Sequence, residues 1–407
     1  MPLSKALRLI RKFALAGALT LGILFASLLL IFSLIYTPEY VVRVVRWGNA
    51  GVYDYRKFPE RRLETSPHTF YFVKDPDESR VRALFQTISR MEDLDAFLAA
   101  NRTQAFIVIQ DDRTIYEHYF NGAQRDTIVT SFSVAKSFTS ALIGVAIAEG
   151  YINNVHDPIT RYLPELIGRD PRFSNITIRN LLMMGSGIKY VEFPFFSGDN
   201  AKTYYYPNLR QLALQHTQIV DPPGKHFLYN NYHPLLLGMI LERATGTTVA
   251  NYLQEKIWKP IGVEFGGSWS LDSAASGFEK MESGINGRAI DFAKFGRLYL
   301  RNGNWQGRQV IPASWVAEST REDPSIDPAT YYAKKGILSS PGNHYYKYMW
   351  WGKRRGNGQY DFCALGNHGQ FIYLSPHKNL IITRNGERYG LEAAKWIDMF
   401  YRFAGAI

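Results

Sequence analysis

An uncharged, apolar run near the N-terminus sets the first limit on how this chain can fold. The run extends from Phe13 to Tyr36 and reads FALAGALTLGILFASLLLIFSLIY. About 20 apolar residues suffice to cross a bilayer as a helix. No polar face interrupts the run, whereas a helix that packs on a soluble core shows one. We therefore expect a transmembrane helix over residues 13–36.

The charges before this run predict its orientation. Lys5, Arg8, Arg11 and Lys12 precede it, and positive charges mark the cytoplasmic end of membrane helices. We expect residues 1–12 to form a cytoplasmic tail and the chain after the run to lie on the periplasmic or extracytoplasmic side. A cleaved signal peptide is the alternative, but its apolar region usually has about 7 to 15 residues and ends in an A-x-A-like site. The longer run here ends SLIYTPEY, which favours an uncleaved single-pass anchor.

The remainder of the chain is typical of a globular protein. Of its 407 residues, 46% are hydrophobic, enough for one large domain or two small ones. Cys363 is the only cysteine, so an intrachain disulfide and a thiolate metal cage are excluded. The net charge of +11 is spread along the chain without a basic run interleaved with aromatic residues. Nucleic-acid binding is therefore disfavoured, and a surface with some affinity for anionic lipid headgroups or cell-wall polymers is favoured.

Strand patterns occur towards both ends of the globular region. Two apolar runs in AFIVIQDDRTIYEHYFNG flank the turn residues Asp111, Asp112 and Arg113 and predict a hairpin. Strand character returns only near the C-terminus, where QFIYLSP and NLIITRN surround a turn at residues 376–379. A final helix is expected over residues 391–403.

Helical periodicity broken by Gly and Pro occupies the central part of the chain. Strands at both ends with helices between them predict one discontinuous α/β domain over residues 85–407. Its α/β part comprises residues 85–132 and 340–407, and residues 133–339 form a mostly helical part. The cleft would fall between the two parts. Residues 37–84 show no clear period and are expected as a juxtamembrane segment that lies against the domain.

The first candidate for chemistry is Ser133-Val-Ala-Lys136, which opens an apolar helix that ends at Gly150. The i, i+3 spacing places the serine and the lysine on one face, within hydrogen-bond reach. Apolar neighbours and the positive helix end disfavour the ammonium form of the lysine, so its amine can accept the serine proton. The unpaired N–H groups of the first helical turn can hold an oxyanion.

This spacing alone is a weak signal. Ser186-Gly-Ile-Lys189 and Ser375-Pro-His-Lys378 match it as well, although both lie in turns. Ser133 can also be read as an ordinary helix N-cap. Taken alone, the motif favours the cap.

A second candidate is Tyr229, which a Pro- and Gly-rich turn (DPPGKHFLYNN) places just ahead of another apolar helix. A tyrosine near a cationic lysine can have its phenolate favoured and act as a second base or proton shuttle. Asn231 can donate hydrogen bonds to a substrate carbonyl or pair with the lysine. Tyr151 and Tyr206 begin the same Y-x-N pattern without this setting, and Tyr206 is kept as a weaker candidate.

The third candidate is CALGNHGQFIYLSP, in which Gly366 and Gly369 bracket Asn367 and His368 at the start of a strand. Small residues there let a backbone approach a ligand closely. An N–H group from this stretch can pair with that of Ser133 to form an oxyanion hole. A bulge or tight turn explains the two glycines equally well.

These three elements, in this order, resemble the active-site elements of the serine β-lactamase and penicillin-binding-protein superfamily. The Y-x-N form is similar to the class C branch, which includes esterases, D-aminopeptidases and 6-aminohexanoate-dimer hydrolases. The resemblance covers residues 85–407 and implies an antiparallel sheet built from both chain ends and flanked by helices. It implies that Ser133 is the nucleophile, that Lys136 and Tyr229 manage the proton, and that the backbone N–H groups of Ser133 and Asn367 form the oxyanion hole.

One departure from the family pattern limits the substrate. The third element of β-lactamases and transpeptidases is K-T-G, whose lysine and threonine help to bind a substrate carboxylate, and this chain has no K-T-G. Residues 366–370 take its approximate place, as in 6-aminohexanoate-dimer hydrolases and related esterases. The residues expected to bind substrate are Asn231, His368, Gly369, Gln370, Trp350, Trp351 and Tyr206. The two tryptophans can equally be core residues.

The remaining patterns argue against other enzyme classes. No G-x-S-x-G, H-E-x-x-H or P-loop motif occurs. His226 and His233 lie seven residues apart without clustered acidic residues, so no metal and no cofactor are expected. The sequence thus predicts a membrane-anchored serine hydrolase that cleaves an ester or amide. The alternatives are a D,D-peptidase or β-lactamase that acts on peptidoglycan-like or β-lactam substrates, and a non-catalytic cell-wall binding protein of the same fold.

Overall fold

An eight-stranded sheet forms the centre of the computed structural model, which describes residues 2–89, 92–326, 328, 331 and 343–407. The strand order is β10-β11-β12-β13-β14-β3-β4-β2, and every pair is antiparallel except β2 with β4. The strands are β1 (Glu60–Leu63), β2 (Val73–Lys74), β3 (Thr103–Gln110), β4 (Arg113–Tyr119), β5 (Val129–Thr130), β6 (Gly267–Ser270), β7 (Ile285–Gly287), β8 (Asn304–Trp305), β9 (Arg308–Gln309), β10 (His344–Lys347), β11 (Trp350–Gly356), β12 (Gln359–Gly366), β13 (Gln370–Ser375) and β14 (Leu380–Gly386).

Helices pack on both faces of this sheet, and the other helices of the described chain lie away from it. In chain order the helices are α1 (Pro2–Ile35), α2 (Pro38–Trp47), α3 (Glu78–Ser89), α4 (Leu94–Ala100), α5 (Val134–Ala148), α6 (Glu165–Arg169), α7 (Ile178–Leu182), α8 (Asp199–Tyr205), α9 (Leu209–His216), α10 (Tyr232–Thr245), α11 (Val249–Leu253), α12 (Ala289–Leu300), α13 (Ala313–Thr320) and α14 (Ala393–Ala406). Helices α5 and α12 pack on one side, and α3 and α14 pack together against the sheet.

The sheet joins the two ends of the folded region, and the expected mixed α/β fold is confirmed. Strands β3 and β4 form the predicted hairpin, whose turn residues Asp111 and Asp112 adopt the left-handed φ values of 51° and 62°. Strand β14 pairs with β3, with Ile382 opposite Val108. Each strand of this pair is buried along nearly its whole length, which explains their continuous apolar runs.

Helix α5 is buried on all sides and lies between the sheet and the helical part. Its residues from Val134 to Ala146 are all buried, as expected for a helix that is apolar all round. It packs on α10 and β12, and its Phe138 ring stacks on Phe295 of α12 at 3.6 Å between centroids. The start of α5 is therefore held rigidly between the two parts of the fold.

Strands in the central region were not expected from the sequence. Strands β6 and β7 lie within residues 133–339 and form a second sheet in the order β1-β6-β7-β5. The longest of these four strands has only four residues, which is too short to show an alternating pattern. Strands β10 to β12 also precede the two strands predicted near the C-terminus.

The segment between the apolar run and the predicted domain is part of the fold. Strand β1 pairs with β6, and β2 extends the large sheet. Helix α2 packs on α8, and α3 spans the boundary that the sequence placed at residue 85. Ahead of this segment, α1 includes a stretch, Leu7–Ile35, that is exposed and is long and apolar enough to cross a membrane.

Candidate active site

Ser133 stands immediately before α5 and faces a cleft between the two parts of the fold. Its side chain makes no capping hydrogen bond. Instead, its Oγ accepts a hydrogen bond of 2.7 Å from Nζ of Lys136. The serine is thus not used as a helix cap, and its hydroxyl is paired with an amine one turn away.

The residue before Ser133 has an unusual backbone. Phe132 adopts a φ of +43°, which is rare for a residue with a large side chain and costs about 1–3 kcal/mol. Its buried ring lies 5.0 Å from His368 and 6.5 Å from Tyr204, measured between ring centroids. Packing from both sides of the cleft therefore holds the turn that presents Ser133.

Lys136 is completely enclosed by protein. Its Nζ donates to Ser133 and, at 3.0 Å, to the backbone oxygen of Glu282. Burial lowers the pKa of the Lys136 ammonium to about 7, and the negative charge of Glu282 acts in the opposite direction. The environment thus keeps a large share of this amine neutral near pH 7, in the form that accepts a proton.

Tyr229 completes the group from the other side. Its ring centroid lies 5.0 Å from Nζ of Lys136, and its ring stacks on Trp351 at 6.0 Å. Burial raises the pKa of the Tyr229 phenol, and a hydrogen bond with Ser133 acts the other way. The expectation that a cationic lysine would favour the phenolate is therefore wrong for this site, because desolvation dominates and a large share of the lysine is itself neutral near pH 7.

The end of strand β12 abuts the serine turn. A Cβ atom on Gly366 would lie 2.3 Å from the backbone oxygen of Ser131 and 3.1 Å from Cβ of Phe132, so only glycine fits there. This approach brings the backbone of Asn367 to the rim of the same cleft as Ser133. Within the described chain, the backbone N–H of Ser133 donates no hydrogen bond and is free to meet a ligand.

The cleft has a volume of about 530 Å³ and is rich in aromatic residues, as binding sites for small molecules commonly are. Its described lining residues include no lysine or arginine. They are Asn49, Ala50, Phe132, Ser133, Glu192, Phe193, Phe195, Asn200, Ala201, Tyr204, Tyr205, Tyr229, Asn231, Glu282, Ser283, Tyr331, Trp351, Leu365, Gly366, Asn367, His368 and Tyr389.

Comparison with known proteins places this geometry in a family. Residues 94–387 match the family model described as Beta-lactamase. The chain belongs to the beta-lactamase family. A 6-aminohexanoate-dimer hydrolase from Paenarthrobacter ureafaciens is 27% identical over 325 residues, which cover 76% of this chain and 78% of that protein.

Solved structures show the same fold. A Bacillus anthracis protein whose name assigns it to the 6-aminohexanoate-dimer hydrolases superposes with a TM-score of 0.73 at 23% identity, covering 89% of this chain and 94% of the other. A class C beta-lactamase superposes with a TM-score of 0.60 at 14% identity, covering 82% and 98%. The resemblance read from the sequence is confirmed, and this beta-lactamase family member is a serine hydrolase.

Of the two tryptophans expected at the cleft of this beta-lactamase relative, the structure places one there. Trp351 lines the cleft beside Tyr229. Trp350, its neighbour on β11, points to the other face of the strand and is buried against Tyr299, Phe295 and Phe362. Successive residues of a strand face opposite sides, so only one of the pair can reach the cleft.

Gly369 and Gln370 do not line the cleft, contrary to expectation. Gln370 is buried in β13, where its amide donates to the oxygen of Gly386 at 2.7 Å and accepts from Asn385 at 2.9 Å. Gly369 has a φ of +80° and packs on Arg384. These residues support the sheet behind the rim, so the tight-turn interpretation of the glycine is the correct one here.

His368 and Asn231 line the cleft, and the side-chain nitrogen atoms of both residues already have partners. The two ring nitrogens of His368 each lie 3.0 Å from a backbone oxygen, Nδ1 from that of Glu387 and Nε2 from that of Ala50. The side-chain nitrogen of Asn231 donates to the hydroxyl of Tyr190 at 2.9 Å and not to Lys136. Both residues therefore position the cleft wall.

Tyr206 is also displaced from its expected role. Its neighbours Tyr204 and Tyr205 line the cleft, whereas the Tyr206 ring packs on Tyr40 of α2 at 5.6 Å. Of the two histidines considered as metal ligands, His226 and His233, the second is buried and already has a partner. Its Nε2 lies 2.6 Å from Oγ of Ser186. Across the described residues, no group of three or more His, Cys, Asp or Glu side chains could hold a metal.

Sequence reasoning missed several residues of the site. Glu282 supplies the carbonyl that Lys136 binds, 146 positions away in sequence. Asn49 and Ala50, from the segment after α2, form part of the wall. No local pattern marks these residues. The charges in EKMES, residues 279–283, point to this region only once the structure shows that they are buried, since charged residues are rarely buried without a structural or functional partner.

Proposed function

We propose that this chain is a membrane-anchored serine hydrolase that cleaves an ester or amide bond through an acyl-enzyme on Ser133. One observation carries the proposal: a fully buried lysine amine, with its pKa lowered to about 7, lies 2.7 Å from the serine hydroxyl at the mouth of a cleft. A serine is a weak nucleophile until a nearby base takes its proton. Lys136 is positioned and neutral enough to be that base.

The proposed reaction has two halves. Neutral Lys136 takes the hydroxyl proton while Oγ of Ser133 attacks the substrate carbonyl, and the backbone N–H groups of Ser133 and Asn367 stabilise the resulting oxyanion. The lysine proton then passes to the leaving oxygen or nitrogen, with the Tyr229 hydroxyl as the relay. In the second half, water attacks the acyl group and gives a proton to Lys136, and Lys136 passes that proton to Oγ of Ser133 as the acyl–Oγ bond breaks and the acid leaves.

The proposed anchor is α1. Its apolar stretch Leu7–Ile35 can span a bilayer, and the basic residues before it favour a cytoplasmic N-terminus with the hydrolase domain on the extracytoplasmic side. We retain a hydrolase domain that begins near residue 85, with the addition that residues 37–84 contribute two strands and part of the cleft wall.

The proposed substrate is an ester or amide without an essential carboxylate. The relatives include a 6-aminohexanoate-dimer hydrolase and a D-aminopeptidase from Brucella anthropi, whose names indicate amide or peptide substrates. K-T-G is missing from this chain, and the described cleft lining has no lysine or arginine to pair with a carboxylate. These features argue against β-lactams and D-Ala-D-Ala peptides.

Covalent labelling of the full-length protein tests this proposal. A fluorophosphonate probe should label the wild type and not Ser133→Ala, while Ser375→Ala, which alters another S-x-x-K serine, should keep the label. Without the probe, the wild-type enzyme should hydrolyse p-nitrophenyl esters or short linear amides and leave nitrocefin intact. Wild-type protein that takes up no label and turns over no ester would support the non-catalytic alternative, and preferential turnover of nitrocefin would support the β-lactamase alternative.

A further inference from the structure

The end of helix α1 lies against the helix that walls the cleft. Tyr36 follows α1 directly and packs on Tyr40 of α2, with 5.3 Å between ring centroids. Nζ of Lys202 lies 5.9 Å from the centroid of the Tyr36 ring. Lys202 belongs to α8, four of whose residues line the cleft. The cleft therefore begins one helix away from the point where the apolar helix ends.

Helix α2 is locked to this wall. The guanidinium of Arg43 is buried and donates to the backbone oxygens of Tyr205 at 3.1 Å and Asp272 at 2.6 Å. The Tyr205 hydroxyl in turn donates to the oxygen of Gly48 at 2.6 Å. Directly after this point, Ala50 reaches the cleft and its oxygen contacts His368. These contacts fix the cleft relative to the end of α1, so that no free linker separates them.

Exposed apolar side chains occur on α2 and on a loop that contacts it. Phe193 and Phe196, in the loop after residue 190, are 70% and 51% exposed, and Val191 beside them is exposed as well. The Tyr40 hydroxyl donates to the oxygen of Phe196 at 2.9 Å, which joins this loop to the first turn of α2. On α2 itself, Val42 is 58% exposed.

This loop is also part of the cleft. Phe193 and Phe195 line it, so one aromatic surface continues from the outside of the protein towards Ser133. Isolated exposed apolar side chains are ordinary, whereas a contiguous group beside a membrane helix is typical of a surface that enters the bilayer interface. Aromatic residues are enriched at that depth.

We propose that this face rests in the bilayer interface and that the cleft accepts a membrane-partitioned substrate, a long-chain acyl ester or amide. The acyl chain would lie along Phe193 and Phe195, with its carbonyl at Ser133. This inference rests on the proposed function, since it requires both the anchor and the acyl-serine chemistry. A short, water-soluble amide would have no use for the apolar surface outside the cleft.

Paired substrates test the inference on the full-length protein reconstituted in phosphatidylcholine vesicles. The p-nitrophenyl ester of acetate is soluble, and that of palmitate resides in the vesicle. Hydrolysis of the palmitate should follow its mole fraction in the bilayer and not its bulk concentration. Val191→Ser combined with Phe196→Ser should lower palmitate hydrolysis about tenfold or more. Neither residue lines the cleft, so acetate hydrolysis and fluorophosphonate labelling should stay unchanged.

Val73→Ser provides the matched control, because Val73 is exposed on strand β2 at the edge of the sheet and outside the cleft. It should leave both activities unchanged. Acetate hydrolysis without palmitate hydrolysis, or equal palmitate rates in the double variant and the wild type, would overturn the inference while the serine hydrolase proposal stands. If the wild type neither hydrolyses the acetate ester nor takes up the fluorophosphonate label, the proposed function itself would be overturned.

Discussion

The pH dependence of acylation gives direct access to the role proposed for Lys136. Burial lowers the pKa of its ammonium to about 7, and only the neutral amine can accept the Ser133 proton. At pH 7 an ordinary lysine would be neutral in roughly 3 of 10,000 molecules, whereas a pKa near 7 makes about half of them competent. The folded environment thus raises the competent fraction by about three orders of magnitude.

Single-turnover acylation by a p-nitrophenyl ester between about pH 5 and 9 measures this effect. Below a midpoint near pH 7, the rate should fall about tenfold per pH unit, and above it the rate should be level. Lys136→Ala should lower the rate by several orders of magnitude at every pH, because no other amine reaches Ser133 within the described residues.

Tyr229→Phe separates the two possible bases. Burial raises the pKa of Tyr229 above its ordinary value of 10.0. If Tyr229 were the base, the acylation rate would therefore rise with pH up to a midpoint above pH 10, and Tyr229→Phe would abolish that rise. We expect the variant to lower the acylation rate through loss of the relay and to leave the midpoint near 7. A level rate from pH 5 to 9, or near-normal acylation by Lys136→Ala, would refute the assignment.

The surroundings of Ser133 and Lys136 yield three more tests. The Glu282 carboxylate raises the pKa of Lys136 against the effect of burial, so Glu282→Gln should move the acylation midpoint below 7, and an unchanged midpoint would contradict this reasoning. Gly366→Ala would place Cβ 2.3 Å from the oxygen of Ser131 and should slow acylation about tenfold or more by displacing the serine turn; Gly168→Ala, with nothing within 4 Å of its added Cβ, should not. Because the folded state binds fewer protons than the unfolded state between the two lysine pKa values, about 7 and 10.5, wild-type stability should rise with pH across this window by up to about 5 kcal/mol. Thermal unfolding should show no such rise in the stability of Lys136→Met. A difference in stability between the variant and the wild type that is the same at pH 6 and at pH 9 would contradict this prediction.

Local patterns predicted the parts of this fold that depend on neighbours in sequence. The hairpin around Asp111 and Asp112, the buried helix after Ser133 and the pair β13–β14 all follow from periodicity and turn residues, and the structure confirms them. The two-residue strand β5 and the three-residue strand β7 carry no such pattern. Both strands belong to the second sheet, and they form by pairing with each other and with β6, across large distances in sequence.

The orientation of individual side chains needed the packed structure. The sequence could not separate Trp350 from Trp351, or Tyr206 from Tyr204, because residues one or two positions apart differ in which face they present and not in composition. It predicted that His368 binds substrate, and only the structure shows that His368 lines the cleft with both ring nitrogens against backbone oxygens. From the sequence we also expected a phenolate at Tyr229. Proximity to a charged residue can be inferred from sequence patterns, whereas the burial of the phenol cannot.

The sequence alone was sufficient for the chemical outline: an apolar N-terminal helix, a Ser-x-x-Lys pair at a buried helix start, a tyrosine after a turn and a glycine-rich strand, in an order that indicates the family. Those features are local, and the chemistry of a residue type does not change with the fold. The lowered pKa of Lys136, the Glu282 carbonyl that it binds and the wall formed by Asn49 and Ala50 emerged only from tertiary structure. They depend on desolvation and on contacts between residues far apart in sequence, which packing alone creates.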